Sequence, residues 1–230
     1  MEYTFKTPLI SGKFLKRYKR FFVDVELPGG EVVTAHCANT GSMKGLLVEG
    51  ATAWLTPVNE KKRKLKYSLE MLDVGTSLVG VNTSLPNKLI AQAARDNKIP
   101  ELGNITDVKT EVKYGTNSRI DVLVNGNHYV EIKNTTLRTG NAASFPDAVT
   151  ARGLKHLHDL EREVKNGNKA TIFFLTQRMD CDHFVPADEI DPAYGKSLRK
   201  VVNNGVQAVC YSCVLDENAI KLDKPLKVKL

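Results

Sequence analysis

The sequence predicts two domains, an all-β barrel over residues 1–83 and an α/β domain with a mixed sheet over residues 84–230. Three observations predict this. The first eighty-odd residues carry short β-branched and aromatic runs separated by Pro, Gly and Asn turns. At residue 84 the pattern changes to apolar residues at helical spacing. From there helical and strand patterns are interspersed, as in an α/β domain. A chain of 230 residues and 25.5 kDa is long enough for two small domains, each with its own core.

In the first domain, KRFFVDVEL (19–27), the turn Pro28-Gly29-Gly30 and EVVTAHC (31–37) form a hairpin signal. ATAWLTPV (51–58), LKYSLEMLDV (65–74) and SLVGVNT (77–83) supply three further strands, and ANTGSMKGLLVEG (38–50) is too polar and Gly-rich for a long one. About five short strands of this kind suggest a small closed barrel, for which an OB-fold is the natural candidate. In the second domain, SLPNKLIAQAARDNKI opens with helix-start residues and places Leu89, Ile90, Ala93 and Ala94 at helical spacing. A strand is expected around TEVKYG (110–115), then a hairpin in which IDVLV and HYVEIK flank Asn125-Gly126. TARGLKHLHDLEREVKNG (150–167) reads as a helix with Leu154, Leu157 and Leu160 on its apolar stripe, ended by Gly167. ATIFFLTQ (170–177) is apolar throughout, as in a strand buried on both faces. A helix over 192–203 and a strand over 206–214 follow.

A hydrophobic content of 42% with 26% charged residues is that of a soluble globular protein. No apolar run approaches the roughly 18 residues of a membrane span. The opening MEYTFKTPLI lacks the features of a secretory signal, so a cytoplasmic location is expected. Cys37, Cys181, Cys210 and Cys213 are too scattered for a disulfide framework. Cys210-Tyr-Ser-Cys213 has no second ligand pair of similar spacing and lies on a strand, where residues three apart face opposite ways, so buried thiols are expected. His156 and His158 diverge on their helix, and no zinc site is read. The net charge of +7 and pI near 9.1 suit a polyanionic partner or plain solubility. The charge concentrates in KRYKR (16–20) and in Lys61, Lys62, Arg63 and Lys64, although lysines also guard loops and strand edges.

Glu131 and Lys133 are two apart on one strand and leave the same face. With Asn125-Gly126 at the turn, the register brings Asp121 opposite about residue 130, so two carboxylates and an ammonium converge. Carboxylates that close repel unless something compensates them. A Mg²⁺ ion (or Mn²⁺) held by Asp121 and Glu131 would do so, keeping water and substrate phosphate as its other ligands. In that reading the ion polarises a phosphodiester and activates a water. Lys133 orients the water or offsets developing charge, and Glu111, ten residues before Asp121, is a further metal contact or general base. The same pattern also describes a hairpin with charges on its wet face. Its setting inside an α/β domain favours a site, because a structural acidic pair there is costly without a partner.

Asp121…Glu131-Ile-Lys133 on adjacent strands, between helices, resembles the PD-(D/E)XK nuclease core, with Ile120 where that motif has proline. Pro146-Asp147 follows the ExK element and is in the wrong order to serve. More specifically, AHCANTGSM (35–43), VNTSLPNKL (81–89), EVKYGTNSRIDVLV (111–124), YVEIKNTTL (129–137) and FPDAVTARGLKHLHDL (145–160) together resemble the sugar fermentation stimulation protein A family. That resemblance implies an OB-fold joined to a PD-(D/E)XK-like domain, and DNA binding linked to maltose metabolism. It implies DNA binding more firmly than cleavage.

Arg152, Lys155 and His156 share one helix face and form either a phosphate clamp or a solvated surface. The clamp is favoured because the helix follows the ExK strand. Arg119, beside Asp121, joins the expected DNA contacts. Asn134, Thr135 and Thr136 could orient Lys133 or touch a phosphate. Asn39-Thr40-Gly41-Ser42-Met43 reads as a polar loop reaching a phosphate or the other domain, or as a tight turn. Tyr18, Phe21 and Tyr67 are candidates for base stacking, with core packing an equal account of Phe21.

Overall fold

The computed structural model describes residues 1–60, 62–114 and 118–230. The N-terminal strands are β1 (Glu2–Thr4), β2 (Ile10–Tyr18), β3 (Phe22–Glu26), β4 (Val32–His36), β5 (Thr52–Pro57), β6 (Tyr67–Asp73) and β7 (Leu78–Gly80). Gly29 and Gly30, with φ of 105° and 87°, make the β3–β4 turn, a conformation that side chains disfavour. Antiparallel pairs link β4, β3, β2, β5 and β6. Parallel pairing of Ala35 with Tyr67 and His36 with Ser68 then joins β4 to β6 and closes a five-stranded barrel. Phe14, Val23, Val25, Leu55, Leu69 and Leu72 fill it.

The ring differs from expectation in one strand. β7 pairs with β6 outside the ring and bridges Val79 to Arg178 of the second half, and the fifth barrel strand is β2. Its sequence ISGKFLKRY buries Phe14 alone, so Lys13, Lys16 and Arg17 hide the strand behind a basic cluster.

The second half contains α1 (Leu85–Arg95), β8 (Val108–Tyr114), β9 (Ser118–Val124), β10 (His128–Thr135), β11 (Leu137–Thr139), β12 (Ala142–Phe145), α2 (Ala151–Lys165), β13 (Lys169–Thr176), β14 (His183–Pro186), α3 (Pro192–Asn203), β15 (Gln207–Leu215), β16 (Ala219–Pro225) and β17 (Lys227–Val228). Thr150 caps α2 by accepting from the Gly153 N–H at 3.0 Å, and Asp191 caps α3 by accepting from the Tyr194 N–H at 3.0 Å. A seven-stranded mixed sheet runs β1-β16-β15-β13-β10-β9-β8, with β10, β13 and β15 parallel. β13 is buried from Ala170 onward, as its unbroken apolar run predicts. Leu89, Ile90 and Ala93 of α1 pack on one face with Val122, Val130 and Ile132. Leu157 and Leu160 of α2, with Leu198 and Val201 of α3, pack on the other with Ile120, Ile172 and Phe174.

Three features escape the sequence reading, the first being β16, since no strand is read beyond residue 214. A second sheet, β11-β12-β14-β17, is built from strands of two to four residues, too short to show an alternation. β1 pairs with β16, so the first residues of the chain extend the sheet of the second half rather than the barrel. The four cysteines are buried and free, and burial pushes the Cys210 thiol up to about 12. Among the described residues no helix is long and apolar enough to cross a membrane.

Candidate active site

The site begins with a register. Val124 pairs with His128 and Val122 with Val130, leaving a three-residue loop, 125–127, at the hairpin tip. The expected two-residue turn is therefore one residue short. Continued one step, the observed register sets Asp121 across from Glu131 rather than residue 130.

The strand pleat slips at the same point. Ile120 enters the cluster under α2 and Val122 the cluster under α1, although residues two apart in a regular strand share a face. Across on β8, between the pairs Thr110–Val122 and Val112–Ile120, Glu111 has a φ of 55°. Such an irregularity re-aims a side chain. Asp121 is delivered towards α1, where Asn87 Nδ2 donates to its Oδ1 at 2.8 Å. The Ile132 N–H donates to its Oδ2 at 2.7 Å.

Glu131 and Lys133 point to the α2 side. Lys133 Nζ lies 2.6 Å from Glu131 Oε1, with side chains 12% and 3% exposed. His156 Nδ1 contacts the same oxygen, and Arg152 Nε donates to His156 Nε2 at 3.4 Å. An ionised carboxylate only accepts, so Nδ1 carries the proton and Nε2 is the acceptor. His156 is thus a buried brace for Glu131, and Arg152 braces His156.

Burial and the neighbouring Glu131 charge push the Asp121 carboxyl up to about 6. Burial acts the same way on Glu131, but Lys133 and His156 together hold that carboxyl below its usual range. Neighbouring carboxyls with opposite shifts are what a candidate site of this kind is expected to show.

The other expected residues divide. Glu111 is exposed, and it lines a cavity of about 530 Å³ with Asp121, Thr83, Asn87, Lys88 and Arg95. Asn87, Lys88 and Arg95 come from α1 and were not foreseen; polar residues on a helix face carry no local signal of a site. Lys155, expected in a phosphate clamp, contacts Ser118 and, at 2.9 Å, Asp159. His156, expected beside it, is buried and contacts Glu131, and its place four residues before Leu160 puts it on the inner face of α2. Arg119 is exposed on β9. Lys62, Arg63 and Lys64 follow β5 on the barrel and line no cavity beside Asp121; Lys61 lies outside the described residues. Phe21 is 46% exposed and Tyr18 37%, so core packing does not account for Phe21.

The loop at 39–43 reaches the other half of the molecule. Asn39 Oδ1 accepts from the Gly41 N–H at 2.8 Å, which sets the turn. Ser42 Oγ donates to the Asp147 carbonyl at 2.6 Å, and the Met43 N–H donates to Asp147 Oδ2 at 2.9 Å. Behind the loop, Arg17 Nη2 donates to the carbonyls of Asn39 and Gly41 at 2.8 and 3.0 Å, while Arg20 Nη2 donates to that of Thr40 at 2.6 Å. Two arginines of the basic run KRYKR therefore hold a loop. Arg17→Ala is expected to lower the unfolding free energy by about 2 kcal/mol in urea titration, since bonds from a charged donor are worth roughly 1.5–3 kcal/mol. A change below a few tenths would show that the loop stands without it.

Glu131 Oε2 is buried and has no hydrogen-bond partner among the described residues. A buried acceptor left over beside a second carboxylate suits a hard divalent cation, which takes one or two carboxylates and fills its shell with water and phosphate. Among the described residues no group of three or more His, Cys, Asp and Glu side chains is gathered for a metal. The donor set is the Asp121–Glu131 pair, and it fits Mg²⁺ or Mn²⁺ in that two-carboxylate mode.

Residues 84–219 match the family model described as "Sugar fermentation stimulation protein RE domain", and residues 15–81 that described as "SfsA N-terminal OB domain". The chain is 45% identical over 231 residues to a sugar fermentation stimulation protein homolog of Maricaulis maris, covering 98% of each. It is 44% identical over 230 residues to the homolog of Paramagnetospirillum magneticum, again covering 98% of each. Among solved structures, Pyrococcus furiosus SfsA in complex with Ca²⁺ superposes with a TM-score of 0.90 at 26% identity, over 100% of both chains.

Proposed function

The chain belongs to the sugar fermentation stimulation protein family, and from that premise we propose that it binds DNA and hydrolyses phosphodiester bonds with Mg²⁺ or Mn²⁺ at Asp121 and Glu131. The observation that carries this reading is the unpartnered Oε2 of Glu131, a carboxylate paired with Lys133 and near enough to Asp121 for its charge to raise that carboxyl. A bound divalent ion would neutralise phosphate charge and lower the pKa of a coordinated water. The chain's own residues do the rest. Lys133, pinned by Glu131 Oε1, places a positive charge where negative charge develops on the phosphate. His156 and Arg152 keep Glu131 in one orientation. Lys88 and Arg95, with Arg119 and the barrel's Lys62, Arg63 and Lys64, offer cations to the DNA backbone. Exposed Tyr18 and Phe21 offer faces to unpaired bases. The Ca²⁺ of the Pyrococcus relative is an oxygen-ligand cation of the same hard class.

A second reading is a non-catalytic DNA-binding regulator of sugar metabolism on the same scaffold. Among the described residues no group of three or more metal-ligating side chains is gathered, which favours it. Supercoiled plasmid separates the two. Nicking in Mg²⁺ or Mn²⁺ that stops in EDTA, and stops in Glu131→Gln while DNA affinity persists, is the expected result. No cleavage of supercoiled, linear or single-stranded DNA, with affinity unchanged in Glu131→Gln, would leave the regulator. In either case log affinity should fall with log salt at about −0.9 per phosphate contact on duplex.

A further inference from the structure

We propose that the polar cleft between the barrel loop and the strand following Lys133 holds one unstacked nucleobase of the bound DNA, beside the phosphate at Asp121 and Glu131. This rests on the DNA reading above and adds a subsite to it.

The cleft has a volume of about 270 Å³ and is walled by Asn39 and Thr40 of the barrel, Thr83 of the connection, and Asn134, Ser144 and Asp147 of the second half. That is below the roughly 300–1,000 Å³ of pockets for drug-sized ligands and suits one planar group. Its chemistry is unfinished. Asn134 Nδ2 and Ser144 Oγ are buried without a hydrogen-bond partner among the described residues, and Ser144 is 1% exposed. Buried polar groups are nearly always paired, because leaving one unpaired is costly. Neither is idle through looseness. Gln177 Nε2, from a fully buried side chain, donates to Asn134 Oδ1 at 2.7 Å and fixes that amide. The Ser42 and Met43 bonds to Asp147 hold the opposite wall. The two walls approach closely at Gly41, where an added Cβ would stand 3.0 Å from Asp147 Oδ2.

Charge and position identify the occupant. The described lining residues include amides, hydroxyls and one carboxylate but no cationic side chain, so a bare phosphate is a poor match. A neutral edge carrying both donors and acceptors is a good one, and Leu137 and Phe145 supply an apolar flank for a ring. Asn134 follows Lys133 on β10 and leaves the opposite face of the strand, where Gln177 holds it. Thr83 borders both this cleft and the cavity containing Asp121. A nucleotide whose phosphate lies in the cavity beside Asp121 can therefore seat its base here. A monosaccharide would meet the same hydroxyls and amides, but nothing ties it to the phosphate site.

The test is a scan of labelled single-stranded oligonucleotides, each lacking the base at one position, read by fluorescence anisotropy with Ca²⁺ in place of Mg²⁺. One position should weaken binding about tenfold in the wild-type protein, a factor in the range of a lost base contact. Asn134→Ala should weaken the intact oligonucleotide by a similar factor and make the scan flat. Ser144→Ala should act in the same direction, less strongly. A flat scan in the wild-type protein, with tight and salt-sensitive binding, would overturn the base subsite and leave the DNA reading standing. Loss of all DNA binding would remove both. A flat scan together with saturable glucose or maltose binding that Asn134→Ala abolishes would assign the cleft to a saccharide instead.

Discussion

Asp121→Asn is expected to abolish metal-dependent cleavage and, at the same time, to make the metal-free protein more stable at neutral pH. The carboxyl is raised from 3.8 to about 6 by burial and by Glu131. Between those values the folded protein binds a proton that the unfolded chain has released, so stability falls as pH rises through the window from about 4 to about 6. Above it the whole cost is present. Two pK units correspond to roughly 3 kcal/mol, of which asparagine should recover about 1–3 kcal/mol. Urea unfolding in EDTA at pH 7.5 would read this gain, and the gain should vanish at pH 3.5. Added Mn²⁺ should reverse the order by stabilising only the wild-type protein. Cleavage should drop by about a thousandfold or more, the scale of losing several kcal/mol of charge stabilisation. A variant less stable than wild type at pH 7.5 in EDTA would show that the Asp121 charge is not a burden on the fold.

Lys133→Met is expected to be the most damaging single change in the site. It removes the ammonium 2.6 Å from a Glu131 side chain that is 3% exposed, leaving that carboxylate to His156 alone. Breaking one side of a buried pair typically costs roughly 3–5 kcal/mol, because the remaining charge has lost its compensation. Glu131→Gln in the same chain should recover about half or more of that loss, and the double-mutant cycle isolates the pair. The Glu131 carboxyl is held below its ordinary 4.5. The pair's contribution is therefore present above about pH 4.5 and is lost as pH falls through the lower folded value. If Lys133→Met proved neutral at pH 7.5, Lys133 would not be compensating Glu131.

What could be read without coordinates was local. β3, β4, β5, α1, α2 and α3 follow from apolar spacing and from turn or cap residues within a few positions of each other. Glu131-Ile-Lys133 was visible because two residues on one strand share a face whatever surrounds them. β2 was not visible, since one buried phenylalanine among lysines leaves no alternation. Nor were β11, β12, β14 and β17, whose two to four residues are too few to show an alternation and which form a sheet only with one another.

The sequence by itself determined the two architectures and the identity of the acidic pair with its lysine. Tertiary structure alone decided how they are used. It slipped the pleat at Asp121 so that the carboxylate meets Asn87. It turned His156 inward to Glu131, and it spent Arg17 and Arg20 on a loop instead of a ligand. The reason is physical: composition and periodicity say which side chains must be buried or charged, but which charge finds which partner is settled by packing between elements far apart in the chain.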